Sequence, residues 1–175
     1  MMRAPTNYAG PRRKVKKPKQ VSQSIQTNLA TTTPDVRQIL KAKGDLVLSV
    51  SRTDSVQTAI CTLYEKRIGA LIVLDEAGEI EGILSERDIV RRLADLGQDL
   101  AETRVEEIMT REVKTCSPEE TLERVLHTMT QGRFRHMPVI DNEKLVGIVT
   151  IGDVVKHRLN KLELEALEMK QIIVG

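Results

Sequence analysis

Two short, near-continuous apolar runs, residues 70–74 and 137–140, stand out along this chain, and each predicts a strand buried on both faces. Each follows a segment with apolar residues at helical spacing: Val56, Ile60 and Leu63 before the first, Leu122, Val125, Leu126 and Met129 before the second. Each precedes a polar turn (75–78 or 141–143) and a further strand (80–84 or 145–149). A short strand at 46–50 or 112–116 opens each unit, and a helix starting at Ser85 or Thr150 closes it. Thr53, Asp54 and Ser55 open the first inner helix. For the second, Ser117 is expected as N-cap, with Pro118 in the first helical position and Glu120 completing a capping box.

The chain is therefore one unit written twice. Residues 47–93 align with 113–158 once a single residue is skipped in a turn, so that Ser51 meets Ser117, Arg67 meets Arg133, Gly82 meets Gly147 and Asp88 meets Asp153. The predicted class is α/β (α+β), a tandem of β-α-β-β-α repeats over residues 35–100 and 101–175. Residues 35–43 form a helical lead-in whose counterpart is 105–110, and 97–101 are the linker. The last helix is long. Its Leu159, Leu162, Ala166, Met169 and Ile173 recur at three and four residues, a stripe suited to packing on its own domain or on a second subunit.

Charge changes the picture at one end. Residues 1–34 hold seven basic residues and no Asp or Glu, leaving 20 basic against 25 acidic residues beyond them. That basic segment lacks a hydrophobic period and reads as a disordered tail. A contact with nucleic acid or another anionic surface is the alternative, and a transit peptide a third, weakened by its prolines. No apolar stretch is long enough to span a membrane. Cys61 and Cys116 are isolated thiols, which points to a reducing compartment such as the cytoplasm. His127, His136 and His157 have no metal-ligand spacing, and no phosphate loop or nucleophile motif occurs, so the expectation is a binding protein and not an enzyme.

The residues with chemical promise sit where the last strand of each repeat enters a helix. There the chain reads Gly82-Ile-Leu-Ser85-Glu-Arg-Asp88 and Gly147-Ile-Val-Thr150-Ile-Gly-Asp153. A hydroxyl with a carboxylate three residues on is a capping box by default. Repeated after a glycine, it also suits a ribose, whose cis-diol a carboxylate can accept twice.

These two segments, with the run from Arg133 to Val139, resemble the CBS-domain family over residues 35–160. The resemblance implies a stand-alone pair of repeats related by a pseudo-twofold axis, with two clefts for AMP, ADP, ATP or another adenosyl compound including NAD(H). It implies Thr150 and Asp153 on one ribose, with Arg135 and His136 on its phosphate, and Lys43, Val47, Leu48, Met137 and Pro138 around the adenine. The other cleft takes Ser85 and Asp88 for ribose, with residues 109–114 beside the base. Arg135 and His136 align with Gly69 and Ala70, which predicts unequal sites, the one at Thr150 and Asp153 being tighter for a phosphorylated ligand. Arg87 is expected either to reach across to that phosphate or to pair with Glu86. Arg133 is expected to pack over its own helix, with phosphate contact as its other role. No metal and no obligatory cofactor are implied. The function expected is that of an adenine-nucleotide sensor acting through a regulated partner or through homodimer geometry. A nucleic-acid-associated protein using its tail and a purely structural dimerisation unit are the alternatives.

Overall fold

A computed structural model describes residues 33–174; the basic tail expected over 1–34 lies almost wholly outside them. The first repeat holds β1 (Ser49–Ser51), α2 (Val56–Lys66), β2 (Ala70–Leu74), β3 (Ile80–Ser85) and α3 (Glu86–Leu96), preceded by α1 (Val36–Lys43). After a 3-10 turn (Gly97–Ala101) come α4 (Val105–Ile108), α5 (Leu122–Gly132), β4 (His136–Asp141), β5 (Lys144–Thr150) and α6 (Ile151–Val174). β1 runs parallel to β2, and β3 antiparallel to it. β4 and β5 repeat the antiparallel pair.

Two sequence expectations change here. The strand expected at 112–116 is reduced to one parallel bridge, Cys116 to Val139, because only Cys116 reaches the edge of β4. The capping box expected at Ser117 and Glu120 does not form. Thr121 is the N-cap of α5, its side chain accepting from the Arg124 amide, while the Glu120 amide donates to the Ser117 carbonyl in a tight turn. The helix then runs from Leu122 to Gly132, with Leu122, Val125 and Met129 in the second core.

The lead-ins are exchanged between repeats. Val36 and Ile39 of α1 join Cys116, Leu122, Val125, Met129, Met137, Val139, Val149 and Val154 in the second core. Leu100, Val105, Ile108 and Met109 join Val50, Val56, Leu63, Leu71, Val73 and Leu84 in the first. Backbone hydrogen bonds make the exchange reciprocal. Val36 donates to the Glu120 carbonyl and Leu122 to that of Pro34, as Val105 donates to Asp54 and Val56 to Thr103. Each lead-in then runs past the opposite strand. Leu40 packs on Gly147 and Met109 on Gly82, so close that a Cβ on either glycine would lie under 3 Å from the side chain above it. The duplicated glycines are thus seats for the lead-ins.

Beyond the second core, α6 continues with Leu159, Leu162, Leu164, Leu167 and Met169 more than half exposed. Leu159, Leu162, Ala166 and Met169 of its stripe are exposed and do not pack on their own repeat. No helix among the described residues is long and apolar enough to cross a membrane.

Candidate functional site

Ser85 and Asp88 sit where β3 passes into α3, and Thr150 and Asp153 where β5 passes into α6. Both pairs form the reciprocal cap. Ser85 Oγ donates to Asp88 Oδ2 (2.6 Å), which also accepts from the Ser85 amide (3.0 Å). Thr150 Oγ1 and its amide donate to Asp153 Oδ2 at 2.8 and 2.9 Å. The cap uses Oδ2 of each carboxylate. In this role it orients the group and fixes the helix start, which is compatible with holding a diol through the second oxygen.

The surroundings of the two pairs differ sharply. A cavity of about 350 Å3 opens at Ser85 and Asp88, within the size range of small-ligand sites. Arg87, Arg91, Lys114, Arg133 and Arg135 line it, against the carboxylates of Glu86, Asp88 and Glu112. Cations therefore exceed acids. The cavity also meets the N-terminus of α3, whose free amides favour an anion. At the other pair, Lys43 Nζ donates to Asp153 Oδ2 (2.8 Å) and to the Ile148 carbonyl (3.2 Å). Burial opposes charge on Asp153, but the hydrogen bonds from Lys43 and Thr150 outweigh it and hold its carboxyl below the usual range.

The grouping expected from sequence changes accordingly. Arg135 and His136 line the cavity of Ser85 and Asp88, not a separate one with Thr150. His136 nevertheless stands opposite Thr150 across the β4–β5 ladder, and its ring lies beside Gly69 and Glu86. It is shared ground between the two clefts. Arg87 crosses to the second repeat and donates to the Arg133 carbonyl. Arg133 is the C-cap of α5, in the left-handed region (φ 55°), and lines the cavity.

The expected adenine surround is only partly available. Lys43 is committed to the Asp153 side. Leu48 packs against the first core and Val47 is half-buried. Met137 is 1% exposed within the second core, and Pro138 is buried with its carbonyl accepting from Cys116. Arg91 was not foreseen; its place four residues after Arg87, on the same helix face, is the signal that could have found it.

Burial, then the nearby Lys43 ammonium, depresses the His136 pKa, with Glu86 and Asp153 pulling the other way. The folded chain thus binds fewer protons here than the unfolded chain. This contribution to stability is complete above the unfolded imidazole value of about 6.5 and is lost as pH falls from there through the lower folded value. Urea midpoints at pH 7.5 and 5.5 should show a larger drop for the native chain than for His136→Gln. Equal drops would remove His136 from the account.

The comparisons with known proteins agree with this architecture. The CBS domain profile matches residues 28–95 and 105–160. The CBS domain-containing protein CBSX3, mitochondrial, of Arabidopsis thaliana is 32% identical over 148 residues, 80% of this chain and 72% of its own length. The crystal structure of a CBS-domain containing protein from Agrobacterium tumefaciens superposes with a TM-score of 0.70 at 40% identity, covering 71% of this chain and 98% of that one. The CBS domain pair of protein MJ0100, in complex with 5′-methylthioadenosine and S-adenosyl-L-methionine, reaches 0.65 at 30% identity, covering 74% and 98%. With two repeats matched, two equivalent strand-to-helix caps and an interlocked pair of cores, the chain belongs to the CBS-domain family.

Proposed function

We propose that this protein is a regulatory module that binds one anionic adenine nucleotide, AMP, ADP or ATP, in the cleft at Ser85 and Asp88. The observation that carries this is the cavity itself: a diol acceptor at a helix N-terminus, faced by five Arg and Lys side chains from both repeats. Asp88 and Ser85 hold the ribose, and Arg87, Arg91, Arg133 and Arg135 surround the phosphates, Arg forks being suited to phosphate oxygens. Thr110 and Val113 flank the base. A structural neighbour takes adenosyl ligands, which supports the nucleoside half of the reading. The excess of cations favours a phosphate over the positively charged sulfonium of S-adenosylmethionine. The module's output is a change of shape read by a partner.

Calorimetry and thermal unfolding with AMP, ADP, ATP, NADH and S-adenosylmethionine test this. A ligand at a hundred times its Kd should stabilise the fold by about 2.7 kcal/mol. No stabilisation by any adenosyl ligand at millimolar concentration would refute it, and a preference for S-adenosylmethionine would refute the charge argument.

A second copy of the chain is the partner we assign to the exposed apolar faces of α3 (Val90, Leu93) and α6 (Val155, Leu159, Leu162). Together they expose more large apolar side chains than isolated surface residues account for. Sedimentation equilibrium should give a dimer that Leu159→Glu dissociates; a monomeric native chain would refute it. The exposed Cys61 and buried Cys116 are both free thiols, which fits a reducing compartment such as the cytoplasm.

A further inference from the structure

Both clefts carry the Ser/Thr–Asp pair, but only one has its carboxylate spoken for. Lys43 closes α1, and that helix is held by Val36 and Ile39 in the second core and by Leu40 on Gly147. A fixed helix therefore delivers the ammonium onto Asp153, where the Ile148 carbonyl provides its second acceptor. At Gly44 the chain turns away with φ +90°, a conformation that suits glycine and lets the lead-in end at this point. The first cleft is built in the same register with the opposite charge. Met109 sits on Gly82 as Leu40 sits on Gly147, and counting on from each, Glu112 is the partner of Lys43. Glu112 lines the open cavity, and among the described residues Asp88 forms no ion pair.

We infer that Lys43 is a built-in occupant of the second cleft, its ammonium on the cap oxygen neutralising the Asp153 carboxylate that a ligand's diol would need as a charged acceptor, so that each chain binds one nucleotide and not two. This rests on the nucleotide reading above. The repeat presents two diol acceptors of the same local geometry, and Lys43 adds to the cation-rich cavity around Asp88 in making them unequal. The pair is part-exposed, with side-chain exposures of 36% for Lys43 and 25% for Asp153. Solvent screening keeps such a contact weak enough for displacement at high ligand concentration. The second cleft is thus disfavoured, not abolished.

The test is calorimetry with AMP, ADP and ATP on the full chain, with the first cleft disabled by Asp88→Ala. That variant should bind weakly or not at all. Adding Lys43→Met, which keeps the aliphatic stem and removes the charge, should tighten binding at least fivefold, and adding Asp153→Asn should cancel the gain. Lys43→Arg, which retains a cation, should stay closed. A thermal melt of each variant without ligand establishes that it is folded. Binding by Asp88→Ala as tight as that of the native chain, or no gain from Lys43→Met, would overturn the inference while leaving nucleotide binding intact. A native chain that binds none of the three nucleotides overturns the nucleotide reading itself, and this inference with it.

Discussion

Asp88→Ala is expected to weaken nucleotide binding by about ten- to a hundredfold, while Asp153→Ala changes it by no more than about twofold. A charged acceptor contributes about 1.5–3 kcal/mol to its hydrogen bonds, and every 1.4 kcal/mol is a factor of about ten. The asymmetry comes from the surroundings of the two carboxylates, not from the carboxylates themselves. Asp88 opens on a cavity rich in cations, whereas Asp153 is held by Lys43. Both substitutions also remove a helix cap, at a cost of about 1 kcal/mol in stability. Binding must therefore be read on folded protein by calorimetry, with Asp88→Asn as a companion that retains a neutral cap acceptor. If Asp153→Ala proves the damaging change, the ranking of the two clefts is wrong.

The largest expected effect on stability comes from Ile39→Ala, about 2–5 kcal/mol. Ile39 is 5% exposed and precedes the first repeat in sequence, yet its side chain lies in the second core. Its loss should fall on α5 and β4 before it falls on α2 and β2. Urea unfolding gives the magnitude, and amide hydrogen exchange shows where protection is lost. The neighbouring exposed Lys41→Ala should stay within about 0.5 kcal/mol of the native chain. Protection lost first from β2 would contradict the exchange of lead-ins.

The pH response of His136, the proposed dimer and the Lys43 contact each rest on the tertiary arrangement. A histidine shared by two clefts, a helix that outruns its own repeat and a lysine from an exchanged lead-in each join parts of the chain that are distant in sequence.

Much of the repeat architecture is local and therefore readable from residue order. The runs at β2 and β4 are apolar because both faces are covered, and β2 has the predicted bounds. The caps at Ser85 and Thr150 need only a hydroxyl and a carboxylate three residues apart, and both form. The start of α5 was misplaced because Ser117, Pro118 and Glu120 satisfy the same local rule as Thr121. Competition between equivalent caps is decided by the helix each one starts, and the start at Thr121 puts Leu122, Val125 and Met129 in the second core.

The duplication, the strand and helix order and the two Ser/Thr–Asp pairs were legible in the amino-acid sequence, since each is set by spacing within a few residues. The assignment of lead-ins to opposite cores was not, because it depends on contacts well beyond local range, such as Met109 on Gly82 and Leu40 on Gly147. The same holds for the site. The family resemblance placed Arg135 and His136 with Thr150, their neighbour within one copy. Packing across the two copies puts them in the cavity of Ser85 and Asp88, and brings Lys43 onto Asp153. Charge acts through space, and distance in space is what folding adds to the order of residues.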